Sequence, residues 1–329
     1  MKRPTLFALV PAALVLAATP LFAANPSSRG PRVVTRASTS APKSVRVDPS
    51  PATAASYSAQ VNIVTRVQGT SFFRTAIDIT NNTTANPVTA TFQYCFTFNN
   101  VYQGCTAQET LTLLNFDNFH TDDIVEYLGT LGVLPPGAEN LSFGTFIVTF
   151  DGLPSGRGWE GTVTARTYSP YDQNDPNLGT VAIAYPGSLF FESANQFLVA
   201  TIRDTQPAPT FAGALRTNLG ITNTDVNGVG AVSVQLSFYD VTENSPTNGQ
   251  EVGNRININD LQAGEVRQTN NIFNAAAIPA AISSVIVFAD ITAGSALGTI
   301  EGYVNILDGG TQDGAYFEMK CGDSDGCGN

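Results

Sequence analysis

The stretches "FFRTAIDITNNT" (72–83) and "ALRTNLGITNTD" (214–225) decide how the chain is read. Both carry Arg-Thr, an alternating apolar run, and then Asn. In an extended chain Thr75, Ile77 and Ile79 share one side, and Arg74, Asp78 and Thr80 share the other. Thr217, Leu219 and Ile221 repeat the first set. A period of two is the signature of a strand. The next segments behave alike. Val88, Ala90, Phe92 and Tyr94 alternate with Thr89, Thr91 and Gln93, and Val232, Val234, Leu236 and Phe238 follow the same pattern. One apolar and one polar face is what an antiparallel sheet shows when one side packs and the other meets water.

The correspondence continues outward from the two phrases. "NIVTR" ending at Arg66 is echoed by "VATIR" ending at Arg203, and "DDIVEYL" from Asp122 by "NNIFNAA" from Asn270. "GTFIVTFDG" from Gly144 matches "SSVIVFADI" from Ser283, and "GTVTARTYS" from Gly161 matches "GTIEGYVNI" from Gly298. The chain therefore holds two repeats, 60–187 and 195–319. Turn signals such as Asn81-Asn82, Asn248-Gly249 and Asp308-Gly309 separate the strands. Helical periodicity is nearly absent. Single helical turns are expected at Asp122–Leu128 and Asn270–Ala277, the first with a capping box of Asp123 and Glu126. The pattern predicts an all-β fold of two tandem immunoglobulin-like antiparallel β-sandwiches.

What flanks the repeats sets the compartment. Lys2 and Arg3, an apolar run over Leu6–Ala18, and Ala23-Ala24 read as a secretory signal peptide over 1–24. Residues 25–58 are rich in Pro, Ser, Ala and Thr, carry five basic residues against Asp48, and predict a disordered basic linker. Residues 320–329 form a tail bounded by Cys321 and Cys327. The formal charge is −11, and loss of Lys2 and Arg3 makes it −13. Nucleic acid is excluded as a partner, because phosphate binding needs clustered Lys and Arg. No second apolar segment is long enough to span a bilayer. In an exported chain four cysteines favour disulfides, and close spacing favours Cys95–Cys105 and Cys321–Cys327. Cys95 falls on the Gln93 side of its strand, away from the core set, as a surface hairpin staple worth up to about 3 kcal/mol.

The order of Arg, a gap, Phe-Arg-Thr or Leu-Arg-Thr, a strand ending in Asn, Val-x-Val, an Asp-Asp or Asn-Asn turn and a closing strand pair resembles a group of secreted bacterial proteins with tandem β-sandwich repeats. The resemblance covers Ile63 to Met319. It implies the fold and export, and brings no catalytic residue.

No motif in the chain specifies chemistry. His120, the only histidine, stands beside Asp122 and Asp123 and reads as a surface residue, not a general base. Asp323 and Asp325 supply too few ligands for a calcium loop. Paired acids such as Asp172 with Asp175 and Asp308 with Asp313 sit among turn residues. No catalytic residue, metal or cofactor is therefore expected. Tyr102, on the stapled loop, and Trp159, Tyr168 and Tyr171 are the candidate binding aromatics. Arg74, Asn81, Arg216 and Asn223, being repeated, are assigned to the scaffold. The reading is a non-enzymatic exported protein with an extracellular or cell-surface role and a protein or glycan partner. A carbohydrate-binding module and a secreted hydrolase are the alternatives.

Overall fold

Each long alternating segment is a strand in the computed structural model, which describes residues 54–68, 72–84, 87–170, 180–189, 197–205, 214–225, 230–294, 299–308 and 314–322. The first repeat contains β1 (Ala54–Gln68), β2 (Phe72–Asn81), β3 (Val88–Phe98), β4 (Val101–Cys105), β5 (Glu109–Leu113), β6 (Asn118–Thr121), helix α1 (Ile124–Thr130), β7 (Ser142–Pro154), β8 (Gly161–Pro170), β9 (Thr180–Pro186) and β10 (Ser188–Leu189). The second contains β11 (Phe197–Arg203), β12 (Leu215–Asn223), β13 (Val232–Asp240), β14 (Ile256–Leu261), β15 (Val266–Thr269), helix α2 (Ile272–Ala275), β16 (Ser284–Gly294), β17 (Ile300–Asp308), β18 (Gly314–Glu318) and β19 (Lys320–Cys321). Both expected helical turns form. Asp123 caps α1 by accepting from the Glu126 amide at 3.1 Å, and Asn271 caps α2.

All strand pairs are antiparallel, and the pairing scheme occurs twice. In the first repeat β5 and β4 share one edge of β3, which continues through β7 to β1, with β10 beyond. In the second, β14-β13-β16-β11-β19 has the same order. The remaining strands run β6-β2-β8-β9 in one repeat and β15-β12-β17-β18 in the other. In the first repeat β1 also continues past β7 to pair with β2 at Val67–Gln68, fusing that repeat's strands into a single ten-stranded sheet. β2 pairs with β6 and β8, and β3 pairs with β4, β5 and β7. β1 lies beside β7. The segment expected as linker also ends sooner: Ala54–Ser58 already pair with β7. The rest of 1–58 lies outside the described residues.

The duplicated phrase is built from buried polar residues. Thr75 and Thr217 are fully buried, and each hydroxyl donates to the backbone of the preceding strand, at Thr65 O and Arg203 O. Asn81 and Asn223 were expected at turns; both are fully buried. The Asn81 amide donates to Leu113 O at 3.1 Å and Leu114 O at 3.0 Å, and its Oδ1 accepts from Thr83 N at 2.9 Å. The Asn223 amide donates to Leu261 O at 3.0 Å and Gly230 O at 3.1 Å, and its Oδ1 accepts from Asp225 N at 3.1 Å. In both repeats one carboxamide ties the end of the second strand to Leu113 or Leu261, the last residue of β5 or β14.

The expectation of one wet face fails where the repeats meet. β1 is buried on both faces over Ala59–Thr65, and β12 over Thr217–Asn223. The outer face of β1 carries Gln60 and Asn62, which the second repeat covers. Gln60 Nε2 donates to Asn62 Oδ1 at 2.7 Å and to Glu301 Oε2 at 3.4 Å. Asn62 Oδ1 also accepts from Thr222 Oγ1 at 3.2 Å, and Asn62 Nδ2 donates to Tyr316 OH at 3.4 Å. Beside this polar patch three aromatic rings from both repeats pack, Tyr316 edge-on to Tyr185 at 4.9 Å and stacked with Tyr303 at 6.0 Å. Gly220 makes room for Tyr303: a Cβ there would lie 2.2 Å from the ring.

Removing either repeated asparagine takes the side-chain donor from a buried carbonyl, Leu113 O or Leu261 O, and the acceptor from the amide of Thr83 or Asp225. Unfolding in denaturant is expected to show Asn81→Ala and Asn223→Ala each destabilised by about 2 kcal/mol or more. Replacing the exposed Asn115 by Ala should cost well under half of that.

Candidate functional site

Three places carry side chains that the scaffold does not account for: a loop pole, the stapled hairpin, and a cleft at the seam. The pole lies where β2, β5 and β7 end and β3, β6 and β8 begin. Asn81 N bonds Asp117 O and Asn82 N bonds Glu160 O, so the β5–β6 and β7–β8 loops flank the end of β2. These loops present Leu114, Phe116 and Trp159, which are 61%, 68% and 62% exposed. Phe116 is held in the left-handed region at φ +60°. That conformation costs a non-glycine residue about 1–2 kcal/mol. Arg157 lies over the Trp159 ring at 5.6 Å and ion-pairs with the buried Glu160. Trp159 was a candidate from sequence. Leu114 and Phe116 were not, although two large apolar residues in "LNFDN" are unusual turn chemistry.

Tyr168 is not a companion to Trp159. It is a mostly buried residue of β8, with its ring between Arg74 at 4.8 Å and Arg166 at 5.1 Å, and its hydroxyl donates to Asp122 O at 3.1 Å. Arg74 therefore does keep a structural role, stacked on its cross-strand neighbour. Tyr171, the other aromatic candidate, lies outside the described residues, as do Asp172, Asp175, Asp313, Asp323, Asp325 and Cys327.

The Cys95–Cys105 disulfide forms as expected, joining directly opposed residues of β3 and β4. Its surroundings correct the sequence reading. Cys95 is fully buried, and Tyr102 is not a free tip. The Tyr102 hydroxyl donates to Ala263 O at 2.5 Å, and burial raises its pKa far above the usual tyrosine value. Thr145 Oγ1 donates to Gly264 O at 2.7 Å. Gly264 stands against Cys95 at φ +75°, where a Cβ would come within 2.8 Å of the sulfur. The hairpin is thus a docking element for the β14–β15 turn. The second repeat has Tyr239 opposite Glu251 at the same register and holds its loop with buried Asp240. Burial works to raise that carboxyl, but the Ser245 and Thr247 hydroxyls and the Thr242 amide outweigh it and hold the pKa at about 2. Cys321 is also disulfide-bonded.

The cleft has a volume of about 360 Å³ and opens where the C-terminal half of β1 faces β12 and β17. The first repeat supplies the apolar Val67, Phe73, Phe143, Val181 and Ile183 together with Thr65, Thr167 and Tyr185. The second repeat supplies Arg216, Asn218, Gln268, Asn270 and Asn305, with Leu307. No carboxylate, imidazole or thiol is among the described lining residues. Arg216 consequently differs from Arg74, its counterpart in the repeat, in facing a cavity.

His120, on β6, sits between two acids. Its Nδ1 lies 2.9 Å from Asp78 Oδ1 and its Nε2 lies 3.2 Å from Asp122 Oδ1. Among the described residues no group of three or more His, Cys, Asp or Glu is placed to hold a metal, and no helix is long and apolar enough to cross a membrane.

No protein-family model matches the sequence, and no curated protein matches it. Among solved structures, a lectin from Pleurotus ostreatus in complex with GalNAc aligns with 83% of this chain and 86% of its own, at 10% identity and a TM-score of 0.15. A likeness that low carries no argument about fold or ligand.

Hydrogen bonds first from Asp78 and then from Asp122 raise the His120 pKa above the ordinary histidine value. Because the folded value is the higher one, this pair stabilises the fold fully below about pH 6.5, and that contribution is lost as pH rises through the folded pKa. An NMR titration should place the imidazole above a random-coil histidine, and Asp78→Asn should lower it more than Asp122→Asn does.

Proposed function

We propose that the chain is an exported, non-enzymatic protein in which two immunoglobulin-like sandwiches act as a rigid carrier and the loop pole of the first repeat contacts an extracellular or cell-surface protein. The observation that carries this reading is the trio Leu114, Phe116 and Trp159, each more than 60% exposed on neighbouring loops. Large apolar side chains gathered at one end of a soluble fold mark contact surfaces. Trp with an adjacent Arg is the composition of interface hot spots. The left-handed Phe116 adds weight, since strain of this kind persists where a side chain must be aimed. Export rests on the leader-like start of the sequence and on the disulfides.

The discriminating experiment uses Phe116→Ser/Trp159→Ala in the full chain. Binding to intact cells of the producing organism should fall at least tenfold, while the melting temperature stays that of the parent. Equal binding by the two proteins would remove the pole from the account. Binding that survives protease treatment of the cells and is competed by free glycans would transfer the reading to carbohydrate recognition.

A further inference from the structure

We infer that the outer face of the second repeat's sheet β14-β13-β16-β11 is a docking surface for a second copy of the chain, joined face to face about a two-fold axis. The seam already shows how such a face is used. In the first repeat the outer face of β3, β7 and β1 is covered by the second repeat, so Gln60 and Thr145 are fully buried and Ile147 is 3% exposed. Strand register identifies the counterparts of these positions. Gln60 and Gln93 stand opposite Ile147 on its two sides, as Thr201 and Tyr239 stand opposite Ile286 in the second repeat. Ser58 with Thr149 corresponds to Val199 with Phe288, and Ser56 with Asp151 to Phe197 with Asp290. The second face is not covered in this way. Thr201 is exposed, and Phe197, Val199, Tyr239, Ile286 and Phe288 are all partly exposed.

The chemistry of this open face is the reverse of what a solvated sheet face shows. Where the covered face has Ser56, Ser58, Gln93 and Thr149, the open one has Phe197, Val199, Tyr239 and Phe288. The rings form a row across three strands, Phe288 lying 6.0 Å from Phe197 and 5.5 Å from Tyr239. None of these side chains joins the core of the repeat. Charge is kept to the border, with Arg255 paired to Glu251 on one side, Lys320 on β19 at the other, and Asp290 at one end. An apolar centre inside a charged rim is the layout of a protein interface, and a contiguous apolar patch on a soluble fold marks a contact. Among the described residues one other sheet face is open, that of β6, β2 and β8 in the first repeat. There Asp78 accepts from Asn118 at 3.0 Å and meets His120 at 2.9 Å, with Thr164 and Arg166 exposed beside them. Setting that polar face on Phe288 would strip Asp78 and Arg166 of water without returning a partner. The apolar face therefore finds its match in itself, which makes the contact isologous and closes it at two copies. Two sheet faces pack in this way by interdigitating side chains across about 10 Å. The loop pole lies outside this contact, so either surface can fail without the other.

Sedimentation velocity of the full chain over a concentration series tests the assignment. The parent is expected to pass from monomer to dimer and no further. Phe288→Asp puts a charge at the centre of the patch and should weaken self-association at least about tenfold. The milder Tyr239→Ser should weaken it severalfold, and both variants should keep the far-ultraviolet circular dichroism of the parent. Arg166→Asp, on the other open face, should leave the dimer intact. A parent chain that stays monomeric up to about 100 μM, growth beyond dimers, a dimer indifferent to both patch substitutions, or a dimer lost in Arg166→Asp would each overturn the proposal.

Discussion

Gln60 and Asn62 sit on the outer face of β1 and are shut away from water by a second repeat that begins more than a hundred residues later. A buried carboxamide without partners costs several kilocalories per mole, and here Gln60 Nε2, Asn62 Oδ1 and Asn62 Nδ2 are paired while Gln60 Oε1 has no partner among the described residues. Thr222, Glu301 and Tyr316 are the partners from the second repeat. Because those partners are directional, they fix the register of one repeat on the other in a way that an apolar contact would not. The aromatic cluster of Tyr185, Tyr303 and Tyr316 then adds area and dispersion beside the polar patch. The shape of the cleft and the burial of the disulfide both follow from this one docking.

Duplication without divergence and duplication with divergence separate the structural residues from the rest. Thr75 with Thr217, and Asn81 with Asn223, do the same thing twice and are scaffold. Arg74 and Arg216 hold equivalent positions in the two repeats but differ in setting: one is stacked on Tyr168 inside a repeat, the other faces the seam. The hairpin after β3 and its counterpart after β13 are held by unlike means, a disulfide in the first and the Asp240 carboxylate in the second. Only the disulfide hairpin reaches across to the other repeat, through Tyr102 and Cys95.

The strands themselves were legible because alternation is a local property, and Ile77, Ile79, Leu219 and Ile221 are all fully buried as the periodicity required. The cap at Asp123 was legible for the same reason. What alternation could not show was that the polar face of β1 is also covered, since Gln60 and Asn62 look like any solvated residues in a linear reading. The same blindness made Cys95 a surface staple and Tyr102 a loop tip. Tyr168 read as a binding aromatic because Arg74, ninety-four positions away in sequence, is brought to its ring only by strand pairing. The pairing of β1 with β7 and of β8 with β2 was equally invisible, because strand order is a long-range property that no single segment encodes.

If the buried seam governs the molecule, the two repeats cannot unfold separately. Scanning calorimetry of the full chain is then expected to give one transition whose calorimetric enthalpy equals its van't Hoff enthalpy. Asn62→Ala should lower the temperature of that whole transition. Two resolved transitions in the parent chain, with Asn62→Ala moving only one of them, would contradict the account.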